Sequence, residues 1–133
     1  MISNRKVGND FESEFCGILA EHGFWVHNFA LKKSGQPADI IAVKKGLPFL
    51  IDCKVCENDR FPFSRIEENQ RLSMELWEDC GNGRGWFALK TSRGIYMVPL
   101  TIMIHSHPFK ESLGKFEIEE LTMSLEEWLC VIG

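Results

Sequence analysis

The chain has 133 residues, 44% of them hydrophobic, which is enough for one domain with its own core and no stabilising disulfide or metal. Five irregularly spaced cysteines indicate reduced thiols, which excludes a disulfide-stapled secreted protein. No apolar run approaches the ~20 residues that cross a bilayer, and residues 1–6 lack an apolar signal-peptide core. We therefore expect a cytoplasmic protein with no membrane partner. A single domain is expected over residues 1–133, with a core over about 4–100 and a C-terminal extension over 101–133.

The formal net charge of −4 argues against a surface that is basic throughout. The charges are unevenly distributed, however. Residues 1–100 carry 13 basic and 13 acidic side chains, whereas residues 101–133 carry 2 basic and 6 acidic side chains. The acidic excess therefore lies in the C-terminal part, and the composition of the first hundred residues permits nucleic-acid binding.

The first predicted elements are a helix over residues 3–22 and a strand over residues 24–31. Apolar side chains recur in the helix at helical spacing, and Gly23 is suited to end it. Glu12 borders the apolar stripe, where its carboxylate can reach the strands on which the helix packs; the alternative is an ordinary solvated glutamate. His27, in the apolar strand, is expected to be a hydrogen-bonded structural residue.

A polar loop follows, and its Lys32 and Lys33 either contact phosphate groups or lie in solvent. Beyond the loop, two apolar runs at residues 38–43 and 49–55 flank a glycine-containing turn at residues 44–46. This pattern predicts two antiparallel strands joined as a hairpin.

Three charged residues interrupt this apolar hairpin. Asp39 opens its first strand, and Asp52 and Lys54 share one face of its second strand because side chains alternate between faces. Charged residues in such apolar strands are usually paired or bind a metal. Two carboxylates on neighbouring strands suit Mg²⁺, and a lysine beside them can assist phosphodiester hydrolysis. The alternative is a structural ion pair between Asp52 and Lys54.

A second helix is predicted over residues 64–80, with Ser64 and Glu67 forming a capping box at its start. The helix carries Gln70, which without further evidence is an ordinary exposed residue. Three arginines on or near this helix are candidate phosphate contacts: Arg60, Arg65 and Arg71.

Two further strands are predicted over residues 85–91 and 95–99, again as a hairpin. A short terminal helix starts at Ser124 and either packs back on the domain or pairs with a second subunit. Cys53 and Cys56 have the spacing of a zinc or redox pair, but an offset of three residues in a strand puts the two thiols on opposite faces.

The order of these residues resembles a known nuclease signature. Asp39, twelve intervening residues and then Asp52-Cys53-Lys54 resemble the PD-(D/E)xK motif, with Pro37-Ala38-Asp39 as its first part. Three further segments are similar to Holliday junction resolvases of the archaeal Hjc and bacterial RecU types: Gly8-Asn9-Asp10-Phe11-Glu12, Phe61-Pro62-Phe63-Ser64-Arg65-Ile66 with Gln70, and Gly85-Trp86-Phe87-Ala88-Leu89. The second and third segments are most similar to the RecU type, although the long stalk of that type has no counterpart here.

The resemblance implies a restriction-endonuclease-like α/β fold, in which helices flank a central mixed β-sheet in the order αβββαββ plus a C-terminal helix. It implies a metal-dependent DNA endonuclease that resolves four-way (Holliday) junctions in recombination, repair or phage DNA processing. Because such enzymes cut two symmetric strands, it also implies a homodimer.

The resemblance further implies a role for each residue of the signature. Asp39, Asp52 and the backbone carbonyl of Cys53 would bind the metal, which is Mg²⁺ with Mn²⁺ as an alternative. Lys54 would act as base partner or charge stabiliser during attack by a metal-bound water. Glu12 would position the metal or its water, and Gln70 would support the site.

Three other functions remain open on the sequence alone. The missing stalk is compatible with a nuclease that cuts nicked, flapped or duplex DNA. A noncatalytic DNA-binding module with the same fold is a second alternative, although such a module would have no need of Lys54. A redox role for Cys53 and Cys56 is the third, and it would require activity to depend on these two thiols.

Overall fold

The computed structural model describes residues 4–29 and 38–133, which form five α-helices and eight β-strands. The helices are α1 (Asn4–Glu21), α2 (Glu68–Asp79), α3 (Leu100–Ser106), α4 (Lys115–Leu121) and α5 (Leu125–Ile132). The strands are β1 (Trp25–Asn28), β2 (Ile40–Lys44), β3 (Leu47–Val55), β4 (Phe61–Pro62), β5 (Gly85–Thr91), β6 (Gly94–Pro99), β7 (Ser112–Leu113) and β8 (Met123–Ser124). Within this part of the chain, no helix has the length and apolar character needed to cross a membrane.

Six strands form one mixed sheet in the order β1-β2-β3-β5-β6-β8, and β4 and β7 form a separate two-stranded ribbon. All neighbours in the large sheet are antiparallel except β3 and β5, which are parallel. Because parallel strands need a long connection, the chain between β3 and β5 crosses over through α2. The predicted order of helix, three strands, helix, two strands and a terminal helix is therefore confirmed.

A two-residue turn joins β2 and β3 and sets the register between them. Lys45 and Gly46 both have positive φ, 51° and 79°, as the tight turns that match the twist of a hairpin require. From this turn the register runs without interruption from Lys44↔Leu47 to Ile40↔Ile51. The turn thereby determines which residues of the two strands lie opposite each other at the far end of the hairpin.

Each face of the sheet buries its own apolar cluster. On the first face, Phe15 and Leu19 of α1 and Trp128 of α5 pack on the strands. On the second face, Met74 of α2 and Leu100 of α3 do so. We call these the first-face cluster and the second-face cluster.

Helix α5 packs back on the domain through Trp128, whose side chain is 1% exposed. The indole stacks on Phe24 at a centroid distance of 5.8 Å and meets Phe49 and Trp86 edge-on. Ser124 caps the helix as predicted, because its hydroxyl accepts a hydrogen bond from the amide of Glu127. Strand β8, just before α5, adds to the edge of the main sheet beside β6.

The predicted start of the second helix at Ser64 was wrong. Ser64 lies in a 3-10 turn, α2 begins at Glu68, and the capping box is formed by Glu67 and Gln70 instead. The reason is tertiary: Phe61 pairs with Leu113 in the β4–β7 ribbon and is fully buried. This pairing keeps the chain extended until the ribbon ends. The predicted first strand is also shorter, since β1 ends at Asn28, and α3 and α4 were not predicted.

The contact between α2 and β5 leaves no room for a side chain at Gly85. A Cβ atom there would lie 2.6 Å from Cγ and 2.7 Å from Cβ of Met74. We expect Gly85→Ala to lower the free energy of unfolding by about 1–3 kcal/mol because α2 must shift to relieve the clash. Urea denaturation of the purified variant measures this. Gly17→Ala is the control, since a Cβ at Gly17 in α1 meets no atom within 4 Å, and it should be neutral or stabilising by up to about 1 kcal/mol. Equal stability of Gly85→Ala and wild type would contradict the expected clash.

Candidate active site

Strands β2 and β3 separate at the point where the two aspartates of the predicted site lie. Their last backbone pair is Ile40↔Ile51, so the next pair in register would be Asp39 and Asp52. Instead of continuing the ladder, Asp39 Oδ2 accepts a hydrogen bond of 2.9 Å from the backbone N–H of Cys53. A side chain thus replaces a strand partner, and both carboxylates lie where the sheet opens.

Asp52 is fully buried at 0% exposure. Its Oδ1 accepts a hydrogen bond of 3.0 Å from the Gln70 side-chain amide, and its Oδ2 lies 3.1 Å from Lys54 Nζ in an ion pair. Burial, and then the negative charge of Asp39, raise the pKa of the Asp52 carboxyl well above its ordinary value, whereas Lys54 lowers it. Asp52 and Lys54 therefore do form the ion pair that the sequence left as an alternative, but the pair lies inside a group of further titratable side chains.

Glu12 reaches this group from α1. Burial, and then the charge of Asp39, raise the pKa of the Glu12 carboxyl to about 7, and Lys54 opposes the shift. Its Oε2 is buried and has no hydrogen-bond partner in the described part of the chain. A carboxyl group with a pKa near neutrality can exchange protons at physiological pH, which is a property of acid–base groups in active sites.

The start of α2 determines the position of Gln70. The side-chain oxygen of Gln70 accepts a hydrogen bond of 3.4 Å from the N–H of Glu67, and its side-chain nitrogen donates to Asp52. Both ends of the amide are thus used, one to cap the helix and one to fix the carboxylate. Gln70 is 8% exposed, so the ordinary exposed glutamine that the sequence left as an alternative is ruled out.

A cleft of about 880 Å³ opens beside these residues, and Glu12, Asp39, Lys54 and Gln70 all line it. Some residues that line the cleft were not predicted from the sequence, among them Glu67. Its three-residue spacing from Gln70 is that of a capping box and could have indicated it. A smaller cleft of about 510 Å³ lies between α1 and the β5–β6 turn, and none of the predicted catalytic residues lines that one.

The predicted phosphate-contacting residues do not all lie together. Arg60 and Arg65 line the large cleft. Arg65 also donates a hydrogen bond to the Val55 carbonyl, which fixes its guanidinium at the rim. Arg71 is not among the lining residues and forms ion pairs on α2 with Glu68 and Glu75. Two more candidates, Lys32 and Lys33, lie outside the described residues.

The available oxygen atoms suit a hard divalent cation. Among the described residues, Glu12 Oε2 is buried without a hydrogen bond and Asp52 Oδ2 contacts Lys54 Nζ, so a bound cation would be an additional partner for two buried carboxylate oxygens. Within residues 4–29 and 38–133, no three His, Cys, Asp or Glu side chains form a ready-made metal site. Magnesium commonly binds through one or two carboxylates and completes its shell with water and substrate phosphate. The donor set therefore fits Mg²⁺ in that mode of binding.

The cysteine pair of the sequence is split between the two faces. Cys53 belongs to the first-face cluster and Cys56 to the second-face cluster, as the strand offset predicted. Burial raises the pKa of both thiols, that of Cys56 to about 12, so neither is an activated thiolate.

Comparison with known proteins identifies the family. The family model described as "Archaeal holliday junction resolvase (hjc)" matches residues 3–129, well beyond the residues 4–100 that carry the sequence resemblance. Among solved structures, the chain is similar to the Holliday junction resolvase Hjc of the hyperthermophile Archaeoglobus fulgidus, with a TM-score of 0.68 and 14% identity. The similarity covers 92% of this chain and 98% of that one, so the two proteins share a fold. No curated protein gave a significant sequence match. The chain therefore belongs to the archaeal Holliday junction resolvase (Hjc) family of nucleases.

Proposed function

We propose that this protein is a metal-dependent endodeoxyribonuclease that acts in the cytoplasm and cuts four-way DNA junctions at the cleft beside Asp52. The observation that carries the proposal is the fully buried Asp52 carboxylate, which contacts Lys54 and Gln70 and lies next to Asp39. A structural ion pair would need neither Asp39 at the strand opening nor Glu12 with an unsatisfied oxygen. Both are present, and both line or border a cleft large enough for a DNA backbone.

Asp39, Asp52 and the backbone carbonyl of Cys53 would hold the cation, Mg²⁺ or alternatively Mn²⁺. The Asp39–Cys53 hydrogen bond supports this assignment because it brings the Asp39 carboxylate against the Cys53 backbone. A cation held there would neutralise charge on the scissile phosphate and would make a water molecule more acidic.

The side chains of this chain supply the remaining chemistry. Lys54 Nζ, held in the cleft by its ion pair with Asp52, stabilises the negative charge that develops on the phosphate oxygens. Glu12 Oε2 accepts a hydrogen bond from the attacking water and orients it toward phosphorus. Gln70 does not meet the substrate in this scheme; it is a positioning residue that fixes Asp52 through the hydrogen bond to Oδ1. By analogy with the family, the products are 5′-phosphate and 3′-hydroxyl ends.

DNA binding outside the reacting phosphate would use Arg60 and Arg65 at the rim of the cleft. Lys32 and Lys33 remain predicted contacts. We further propose a homodimer with two-fold symmetry, because resolution of a junction needs two symmetric cuts.

The first prediction concerns catalysis. Wild type should cut two symmetric strands of a labelled four-way junction in Mg²⁺ and leave the matching linear duplex intact, and chelator should abolish cleavage. Asp52→Asn and Lys54→Ala should each lower the single-turnover rate by at least about 100-fold, since the first removes a carboxylate that would hold the cation and the second removes the positive charge that stabilises the phosphate oxygens. Gel electrophoresis of the labelled strands measures both the rate and the cut positions.

Asp79→Asn is the matched control, because Asp79 is exposed near the end of α2 and away from the cleft. It should cut at the wild-type rate. Cleavage of the duplex as well as the junction would make the protein a general endonuclease with the same site. Tight, metal-independent junction binding without any cleavage would overturn the proposed activity in favour of a DNA-binding module.

The second prediction concerns the stability of the metal-free protein. The pKa of Glu12 is 4.5 in an unfolded chain and about 7 in the folded one, so the folded state binds the proton more tightly. The contribution of Glu12 to stability is therefore fully present below pH 4.5, is lost as the pH rises to 7, and changes no further above. Glu12→Gln cannot ionise, so it should raise the free energy of unfolding at about pH 8 by about 1–2 kcal/mol, allowing for solvent screening of a half-exposed carboxyl.

Urea denaturation in chelator, at about pH 4.5 and at about pH 8, tests the effect. The measured quantity is the difference in the free energy of unfolding between variant and wild type. Asp52 shifts in the same direction but is present in both proteins, so it cancels in the difference. Glu21→Gln, an exposed residue at the end of α1, should leave the difference near zero at every pH. Parallel stability curves for Glu12→Gln and wild type would rule out a raised pKa at Glu12.

A further inference from the structure

Three aromatic rings form a row along β1, the outer strand of the main sheet, and the residue that follows it. Trp25, His27 and Phe29 occupy alternate positions, so they share one face of the chain. The rings of Trp25 and His27 are nearly parallel, at 12°, with centroids 6.2 Å apart, and the rings of His27 and Phe29 meet edge-on at 4.6 Å. We call these three side chains the aromatic row.

The aromatic row is not part of the core. Trp25 is 63% exposed, and His27, which the sequence had suggested as a structural residue, is also exposed. Val26, between them, turns the other way and packs against the first-face cluster. On the second face, α2 and α3 pack on β5 and β6, several strands away from β1. Trp25 and His27 are therefore exposed side chains on the edge strand of the sheet.

The row leads toward the candidate active site. The backbone N–H of Phe29 donates a hydrogen bond of 2.7 Å to the carbonyl of Asp39, and the Asp39 carboxylate bonds the Cys53 amide in the cleft. A polymer lying along Trp25, His27 and Phe29 would thus end beside Asp39. A partner that lies along the aromatic row would therefore also reach the cleft.

The chemistry of the row fits nucleobases better than phosphates or a protein partner. Flat rings with open faces bind bases by stacking, and such stacking tolerates any sequence because every base has a planar face. In duplex DNA those faces are covered by neighbouring base pairs, so only unpaired bases can stack on a protein. A second copy of this chain would need a contact area of about 800 Å² per subunit, far wider than one row of three rings interrupted by a polar imidazole.

We propose that the aromatic row is a stacking site for unpaired nucleobases that lie beside the scissile strand. The inference rests on the proposed function, since it takes DNA to be the partner of the cleft. It assigns a substrate feature to this chain: branched DNA with unpaired nucleotides near the cut is bound more tightly than fully paired DNA.

The test compares two single strands that differ only in their bases. One is an oligothymidylate of about 12 nucleotides, within the usual range of single-strand binding sites, and the other is an abasic strand of the same length. Binding of each is measured by fluorescence anisotropy in chelator, for wild type, Trp25→Ala, Trp25→Phe and Leu47→Ala. Leu47 is the matched control, because it is an exposed apolar residue, 53% exposed, that shares the strand face of Phe49 and Ile51, opposite the face of the aromatic row.

Wild type should bind the oligothymidylate about tenfold more tightly than the abasic strand. Trp25→Ala should lose this preference while keeping its affinity for the abasic strand, Trp25→Phe should retain most of it, and Leu47→Ala should match wild type. Tryptophan fluorescence should be quenched by oligothymidylate in wild type and not in Trp25→Phe. If Trp25→Ala proves unstable, His27→Ala is tested in its place. It removes the second ring of the row and should weaken the preference for oligothymidylate.

Equal affinity of wild type for the two strands would overturn the proposal, and so would an unchanged preference in Trp25→Ala. If Trp25→Ala dissociates a dimer in sedimentation while the base preference persists, the row is a subunit contact and the proposal fails. Because the measurement uses neither metal nor cleavage, it is independent of the nuclease test. If the protein cuts junctions but shows no base preference, only the proposed stacking site is overturned. If it prefers strands with bases but cuts no DNA, only the proposed nuclease activity is overturned.

Discussion

The burial of the Asp52 carboxylate is the constraint on which the site depends. A carboxylate at 0% exposure has lost its water and must find partners within the protein, or take up a proton. Lys54 supplies a positive charge two residues further along the same strand, and Gln70 supplies an N–H from α2. The same amide also caps α2 through Glu67, so the contact with Asp52 is joined to the start of that helix. The buried Asp52 carboxylate thereby connects β3 with the start of α2 and with Lys54, which lines the cleft.

The opening of the sheet is the second structural condition for the site. Strands β2 and β3 pair tightly from their turn to Ile40↔Ile51 and then part, so Asp39 bonds the Cys53 backbone by its side chain instead of its main chain. The separation leaves the Cys53 N–H without a main-chain partner on β2, and the Asp39 carboxylate takes that place. Negative groups meet at this opening: burial first, and then the charge of Asp39, raise the pKa values of both Glu12 and Asp52. A bound cation would relieve this mutual repulsion.

The acidic excess of the C-terminal part lies apart from the cleft, whose described lining carries four acidic and three basic side chains. None of the residues that line the described cleft comes from residues 101–133, which carry 2 basic and 6 acidic side chains. Two of those glutamates form salt bridges with basic side chains outside the cleft, Glu117 with Lys110 and Glu119 with Arg93. That segment instead completes the fold: β8 extends the sheet, and Trp128 fills the first-face cluster.

The sequence by itself determined the order of the main elements and the hairpin, and it predicted the residues proposed for the site, because these depend on local patterns: alternation in strands, a tight glycine turn, and charges that interrupt apolar runs. It also predicted the capping of α5 at Ser124, a purely local hydrogen bond. Only the tertiary structure decided where α2 starts, since the pairing of Phe61 with Leu113 joins residues far apart in the chain. The tertiary structure likewise decided that Arg71 forms an ion pair with Glu75 on its own helix, whereas Arg65 lines the cleft. It also decided that His27 is exposed. Periodicity defines the faces of an element, but which face is covered depends on what packs against it, and that is set by contacts between distant residues.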